Sequence, residues 1–225
     1  MMQIFSLGLT LSIVSMCSIA NAPRTASRTV DEGFRPVRSV AGVQEDTLLA
    51  RLRELVRDTR TASWTQTTWE TDGRDDERTA ARCLWAGQEN QRLDVFDGRG
   101  AGATAILYSG RVHGFKRGFL SFIKKTFEPT HERVVSLRGN PMTENGFVDD
   151  LAWMTDHWGR VSVTRDSTQS ALSYADGEVT RRFVLRDNPL RVVLQETYDG
   201  ERLVERYTYA DVSYNPVLDL DELRP

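Results

Sequence analysis

Histidine, cysteine and lysine are scarce in this 225-residue chain, and each shortage removes a class of chemistry. His113, His131 and His157 stand far apart with no H-x-x-x-H or H-x-H spacing, so nothing points to a shared metal site. Of the cysteines, Cys17 lies in an apolar N-terminal run. Removal of that run leaves Cys83 alone, and no intramolecular disulfide can then form. Its apolar strand setting marks Cys83 as a small buried hydrophobe. A net charge of -3 and a pI near 5.7 lack the clustered basic footprint of a nucleic-acid binder. There is no G-x-S-x-G and no Cys/His nucleophile context. With no acid, base and nucleophile set assembled, the chain reads as noncatalytic and without a cofactor. Gly98-Arg99-Gly100-Ala101-Gly102 has the look of a phosphate loop, but no helix comes after it to supply amides and dipole, so it reads as a hairpin turn.

Past residue 22 no apolar run approaches the roughly 20 residues that a spanning helix needs. Residues 1–22 carry no charged side chain, run apolar from Ile4 to Ile19 and end in small residues. They read as an export signal cut after Ala20 or Ala22, which places the protein in the periplasm. A lipid anchor at Cys17 is the alternative. Residues 23–43 have no apolar period and read as a flexible leader; the fold is expected over 44–219, with 220–225 as a tail.

From residue 44 onward the pattern is one helix and then a regular alternation of short strands and turns. Leu48, Leu49, Leu52, Leu55 and Val56 recur at helical spacing, with Glu45 and Asp46 first and Arg57 and Arg60 last, matching the helix dipole. Strands are expected at Thr61 to Glu70, Thr79 to Ala86, Gln91 to Phe96, Ala103 to Tyr108, Phe115 to Phe127 and Arg133 to Leu137. Asn140 and Pro141 are placed to open a second helix, along which Phe147, Leu151, Met154 and Trp158 form one apolar stripe. Asp149 and Asp150 fall in its early turns, and His157 at its end suits the dipole. Strands return at Arg160 to Arg165 and Ala171 to Tyr174. A closing meander over Glu178 to Tyr214 is broken at Asp187-Asn188-Pro189 and Asp199-Gly200. Ten or eleven strands and two helices make an α+β fold, with the helices on one side of an antiparallel sheet.

Two surfaces carry candidate function. Trp64, Trp69, Leu93, Val95, Phe119, Phe122, Ile123, Phe147, Leu151, Met154 and Trp158 supply apolar faces able to line a ligand cavity, although an aromatic core is the plainer reading. Lys116, Arg117, Lys124 and Lys125 interleave with aromatics. Such a stretch suits peripheral contact with anionic lipid or an envelope protein, against the simpler reading of a strand with one solvated face.

In order of elements, and in Leu93-Asp94-Val95, Ala105-Ile106-Leu107-Tyr108-Ser109-Gly110 and Tyr214-Asn215-Pro216-Val217-Leu218-Asp219, the chain resembles the periplasmic lipoprotein carrier superfamily typified by LolA, with LolB and RseB. Glu128-Pro129, Arg138-Gly139-Asn140-Pro141 and Gly146 extend the likeness to a related group of bacterial domains. The resemblance implies a curved antiparallel sheet wrapped as an unclosed half β-barrel, two helices over its concave face, and an apolar cavity that receives acyl chains. It implies a monomeric, noncatalytic carrier of a lipid or lipoprotein acyl chain in outer-membrane lipoprotein sorting. The competing expectation is a sensing or protein-interaction module whose cavity its own side chains fill.

Overall fold

The computed structural model describes residues 43–116, 124–144 and 146–225. Turn residues divide the chain into short strands, and eleven of them join one antiparallel sheet. They are β1 (Ala62–Thr71), β2 (Asp76–Trp85), β3 (Gln91–Gly98), β4 (Ala103–Tyr108), β5 (Arg111–Lys116), β6 (Lys125–Phe127), β7 (Ser162–Arg165), β8 (Gln169–Asp176), β9 (Val179–Asp187), β10 (Leu190–Asp199) and β11 (Arg202–Tyr214). The spatial order is β6-β5-β4-β3-β2-β1-β11-β10-β9-β8-β7. The chain thus starts at the middle of the sheet and steps outward by hairpins to one edge. It crosses the concave face, then steps back from the other edge until β11 pairs with β1. The edges β6 and β7 do not meet, so the sheet is an unclosed half-barrel.

Gly98 shows why glycine ends β3. Its φ is +77°, and a Cβ there would stand 2.0 Å from the Arg78 carbonyl oxygen of β2. In the turn after it, Ala101 and Ala103 donate their amides back to Gly98 and Gly100, and Gly102 to Val95. Those amides are spent inside the hairpin.

Helix α1 (Val43–Asp58) and helix α2 (Phe147–Asp156) pack together on the concave face. The periodic residues Leu48 and Leu52 of α1, and Phe147, Leu151 and Met154 of α2, are all buried. They meet Trp64, Tyr209, Phe183, Leu185 and Val212 from the sheet in one continuous core. The Phe147 ring stands edge-on to Trp64 and Tyr209, at 4.9 and 5.1 Å between centroids. The part of the sheet beneath the helices is thus packed by its own aromatics. Among the described residues no helix is long and apolar enough to cross a membrane.

Four expectations need correction. Residues 133–137 form no strand. Pro129 and a series of local bonds, His131 to Glu128, Val134 to His131 and Gly139 to Ser136, turn the backbone on itself, leaving the apolar side chains to cover the sheet. Asn140 does not cap α2, whose N-cap is Gly146, six residues further on, with no side-chain cap bond. A Cβ at Gly146 would come within 2.9 Å of Asp149 and 3.2 Å of Trp85. Phe115 to Phe127 is not one strand: its ends belong to two strands that pair antiparallel, with Val112 of β5 opposite Phe127 of β6, and residues 117–123 lie outside the described residues. Trp158 lies beyond α2, at the start of a 3-10 turn over Trp158–Arg160.

Candidate functional site

A hollow of about 180 Å³ lies on the other half of the concave face, over β1 to β5. Its floor is made of small and apolar side chains: Ala81, Leu93, Val95, Ala103, Ala105 and Gly114. The chain from Arg133 to Glu144 forms its roof, with Val134, Val135, Pro141 and Met142 facing in. Met142 is buried against Leu107 and Val112, which seats the roof on β4 and β5.

The end of the hollow toward β1 and β11 is polar. Trp64 Nε1 donates to Gln66 Oε1 at 3.1 Å, and Gln66 Nε2 donates to Thr68 Oγ1 at 2.9 Å; Gln66 and Thr68 both line the hollow. Glu70 is the next residue on that face. Across the ladders Glu70 pairs with Glu205 of β11 on one side and Glu77 of β2 on the other, which sets three glutamates in one row. Each outer glutamate has its own arginine. Arg99 bonds Glu77, and Arg138 donates through Nε to Glu205 at 2.9 Å. Glu70 is met by neutral donors: the Tyr207 hydroxyl at 2.9 Å, the Ser136 hydroxyl and the Arg138 backbone amide. Burial raises the Glu70 carboxyl above the usual carboxylate range, the Ser136 and Tyr207 hydrogen bonds oppose that rise, and Glu205 adds to it.

The roof is fastened through the same row. Arg138 also donates through Nη1 to the Thr71 carbonyl at 3.2 Å, and Asn140 Nδ2 donates to Glu205 at 2.7 Å. Asn140, expected to open a helix, is therefore a roof anchor.

The residues put forward from the sequence fall in several places. Leu93 and Val95 line the hollow. Trp64, Phe147, Leu151 and Met154 are buried in the helix-covered core, and Trp158 packs against it from the side. Trp69 alternates with Trp64 and Glu70 on β1, and so projects from the opposite, convex face of the sheet, in register with Arg78 and Arg206. Phe119, Phe122, Ile123 and Arg117 lie outside the described residues. Lys116, Lys124 and Lys125 sit at the β5–β6 edge, with Lys124 Nζ 5.8 Å from the Phe115 ring centroid. Charge on an edge strand also blocks further strand pairing. Cys83 is buried, and burial pushes its thiol pKa up, which suits packing rather than nucleophilic chemistry. Among the described residues no group of three or more His, Cys, Asp or Glu side chains could hold a metal ion.

An unclosed α+β half-barrel with two helices on its concave face is the architecture that the LolA-type resemblance implied, but the apolar hollow lies beside the helices and under the Arg133–Glu144 roof, whereas the resemblance implied one between helices and sheet. No sequence family and no curated protein matches this chain. Solved structures do. An uncharacterised conserved protein from Thermus thermophilus is similar at 9% identity and a TM-score of 0.48, covering 81% of this chain and 93% of that one. A DUF1329 family protein from Desulfovibrio piger is similar at 9% identity and 0.43, over 80% and 96% of the two chains. A LolA superfamily protein from Nitrosomonas europaea is similar at 10% identity and 0.38, over 80% and 96%. These likenesses concern the fold, and the ligand is a separate question.

Proposed function

We propose that this protein is an exported, noncatalytic binding protein that holds an apolar tail, such as a lipid or lipoprotein acyl chain, in the hollow beneath the Arg133–Glu144 roof. The observation that carries this reading is the hollow itself, which has apolar walls and lies beside a helix-covered half that the protein's own side chains fill. Export rests on the apolar, uncharged N-terminal run and its small-residue end.

Size limits the reading. A cavity of about 150 Å³ holds one benzene ring, so 180 Å³ takes about six or seven carbons of a chain. At about 0.8 kcal/mol per buried methylene, those carbons contribute about 5 kcal/mol before the cost of ordering. That sets a Kd no tighter than on the order of 0.1 mM, and the ordering cost weakens it further. A longer acyl chain must run out through the mouth, or lift the roof, to bind more tightly.

The test is to purify the protein from native membranes and look for co-purified lipid by native mass spectrometry, then titrate a fluorescent acyl probe against wild type and Leu93→Trp. Bound lipid, or probe binding that the tryptophan abolishes, supports the reading. A ligand-free protein that binds no probe overturns it. The packing beneath α1 and α2 favours a second reading, an envelope interaction module. A cross-linked protein partner without lipid, lost on charge reversal at Lys116, Arg117, Lys124 and Lys125, would establish it.

A further inference from the structure

We propose that the hollow selects its ligand by the head group, accepting apolar molecules that end in a primary amine on Glu70 and turning away those that end in a carboxylate. This rests on the reading of the hollow as a binding site and narrows what it binds.

The argument is one of charge and position. Glu77, Glu70 and Glu205 are adjacent across β2, β1 and β11, on the face that bounds the hollow. Neighbouring positions on a sheet lie about 5 Å apart, so the three carboxyls share one local field. Two guanidinium groups bond them, Arg99 on Glu77 and Arg138 on Glu205, and a third, Arg181, acts on Glu205 through its field but is itself answered by Asp150 at 3.2 Å, so that pair adds nothing to the count. The remaining charged groups on the hollow, Arg133 and Glu144 of the roof, cancel in the count. The row is therefore one positive charge short, and the shortfall falls at Glu70, which is 4% exposed and lines the hollow.

Burial pushes the Glu70 carboxyl upward and Glu205 adds to the push, the direction that such a shortfall predicts. An ammonium group seated beside Thr68 and Glu70 supplies the missing charge, while the alkyl part lies on Ala81, Leu93 and Ala105. A carboxylate in the same place is a fourth negative charge in a dry site, facing a row whose arginines are already engaged. Amine binding then competes with protonation of Glu70, so it strengthens as pH rises through the raised Glu70 value. Tyr207 keeps its proton throughout, because burial holds its phenol well above neutral pH.

The experiment titrates the full-length protein with 1-hexylamine, 1-hexanol and hexanoate, each six carbons long, following amide chemical shifts at pH 7.5 and 5.5. At pH 7.5 hexylamine is expected to bind at least tenfold more tightly than hexanoate, with hexanol between them, and to weaken at pH 5.5. Glu70→Gln should bring the three within about threefold of each other and remove the pH dependence of hexylamine. Circular dichroism confirms that this variant is folded. Should it unfold, Tyr207→Phe gives a second test: loss of that donor leaves Glu70 more dependent on the ligand, and hexylamine binding should hold or tighten. Equal binding of hexanoate and hexylamine, or an amine preference that survives Glu70→Gln, overturns the head-group proposal while the hollow remains a binding site. Failure of all three probes overturns both.

Discussion

The Asn215 side chain, at the end of β11, accepts from the backbone amide of Arg60 at 2.7 Å and so ties the last strand to the junction of α1 and β1. Asn215 also donates through Nδ2 to the Asp58 carbonyl at 2.9 Å, and its own amide bonds Thr61. Its φ of +53° lies in the left-handed region, where asparagine is tolerated far better than alanine. The Tyr-Asn-Pro stretch thus has a structural role: it closes the central β1–β11 pair on which both halves of the sheet depend. Asn215→Ala loses three side-chain bonds that are exposed to solvent, the third a long one from the Thr61 amide at 3.4 Å, and takes on backbone strain. It should lower stability by about 1–3 kcal/mol, read as a shift of the urea midpoint at unchanged m value.

Asp150 of α2 faces Arg181 Nη1 at 3.2 Å and the Tyr174 hydroxyl at 3.4 Å. Burial pushes its carboxyl up to about 6; Arg181 and Tyr174 pull it down, less strongly. A carboxyl with a folded pKa above its unfolded one binds protons more tightly when folded. Stability from this group is therefore full below about pH 4 and declines as pH rises toward 6, by about 3 kcal/mol at most. Asp150→Asn should flatten the stability profile between pH 4 and 6 while leaving it nearly unchanged below pH 4, as measured by urea denaturation across that range.

How much of this was open to a reading of residues differs from place to place. Turn chemistry located the meander, and alternation placed Phe183 and Leu185 on the face they occupy, because both signals are local. Arg133 to Leu137 misled because a short β-branched run suits a pleated sheet and a roof equally well; only its backbone partners distinguish them. Large aromatics drew attention to Trp64 and Phe147, yet large side chains fill space. The hollow lies where alternate residues of adjacent strands are small, as at Ala81, Ala103, Ala105 and Gly114, and that pattern was there to be seen. The glutamate row had no such signal. Glu70 on its own strand looks like a solvated residue, and its meeting with Glu205 depends on a pairing 135 positions apart in the chain.

Arg138 holds the roof to the sheet through Glu205 and the Thr71 carbonyl. Arg138→Met leaves Glu205, whose side chain is 7% exposed, with Asn140 as its neutral partner and Glu70 beside it. Removal of one member of a buried pair costs about 3–5 kcal/mol, and the partly exposed arginine puts this case at the lower end. Arg138→Met with Glu205→Gln should recover most of the loss, since no unpaired charge is left. Hydrogen exchange should speed up at residues 133–144 in the single variant and return toward wild type in the double.

One substitution made in two places separates the hollow from the packed core. Ala105 on β4 faces the hollow, with Leu93 and Gly114 as its cross-strand partners, so a larger side chain has room to enter. Ala62 on β1 is fully buried in the cluster beneath α1 and α2, among leucines and aromatics already in contact. Ala105→Leu places three more carbons against apolar walls, a gain of about 2 kcal/mol from which side-chain ordering removes up to about 1. It should therefore stabilise the protein by about 1 kcal/mol. Ala62→Leu forces neighbours off their rotamers and should destabilise by about 1–3 kcal/mol. Urea midpoints moving in opposite directions, with acyl-probe binding weakened in Ala105→Leu alone, would locate the free volume in solution where the fold places it.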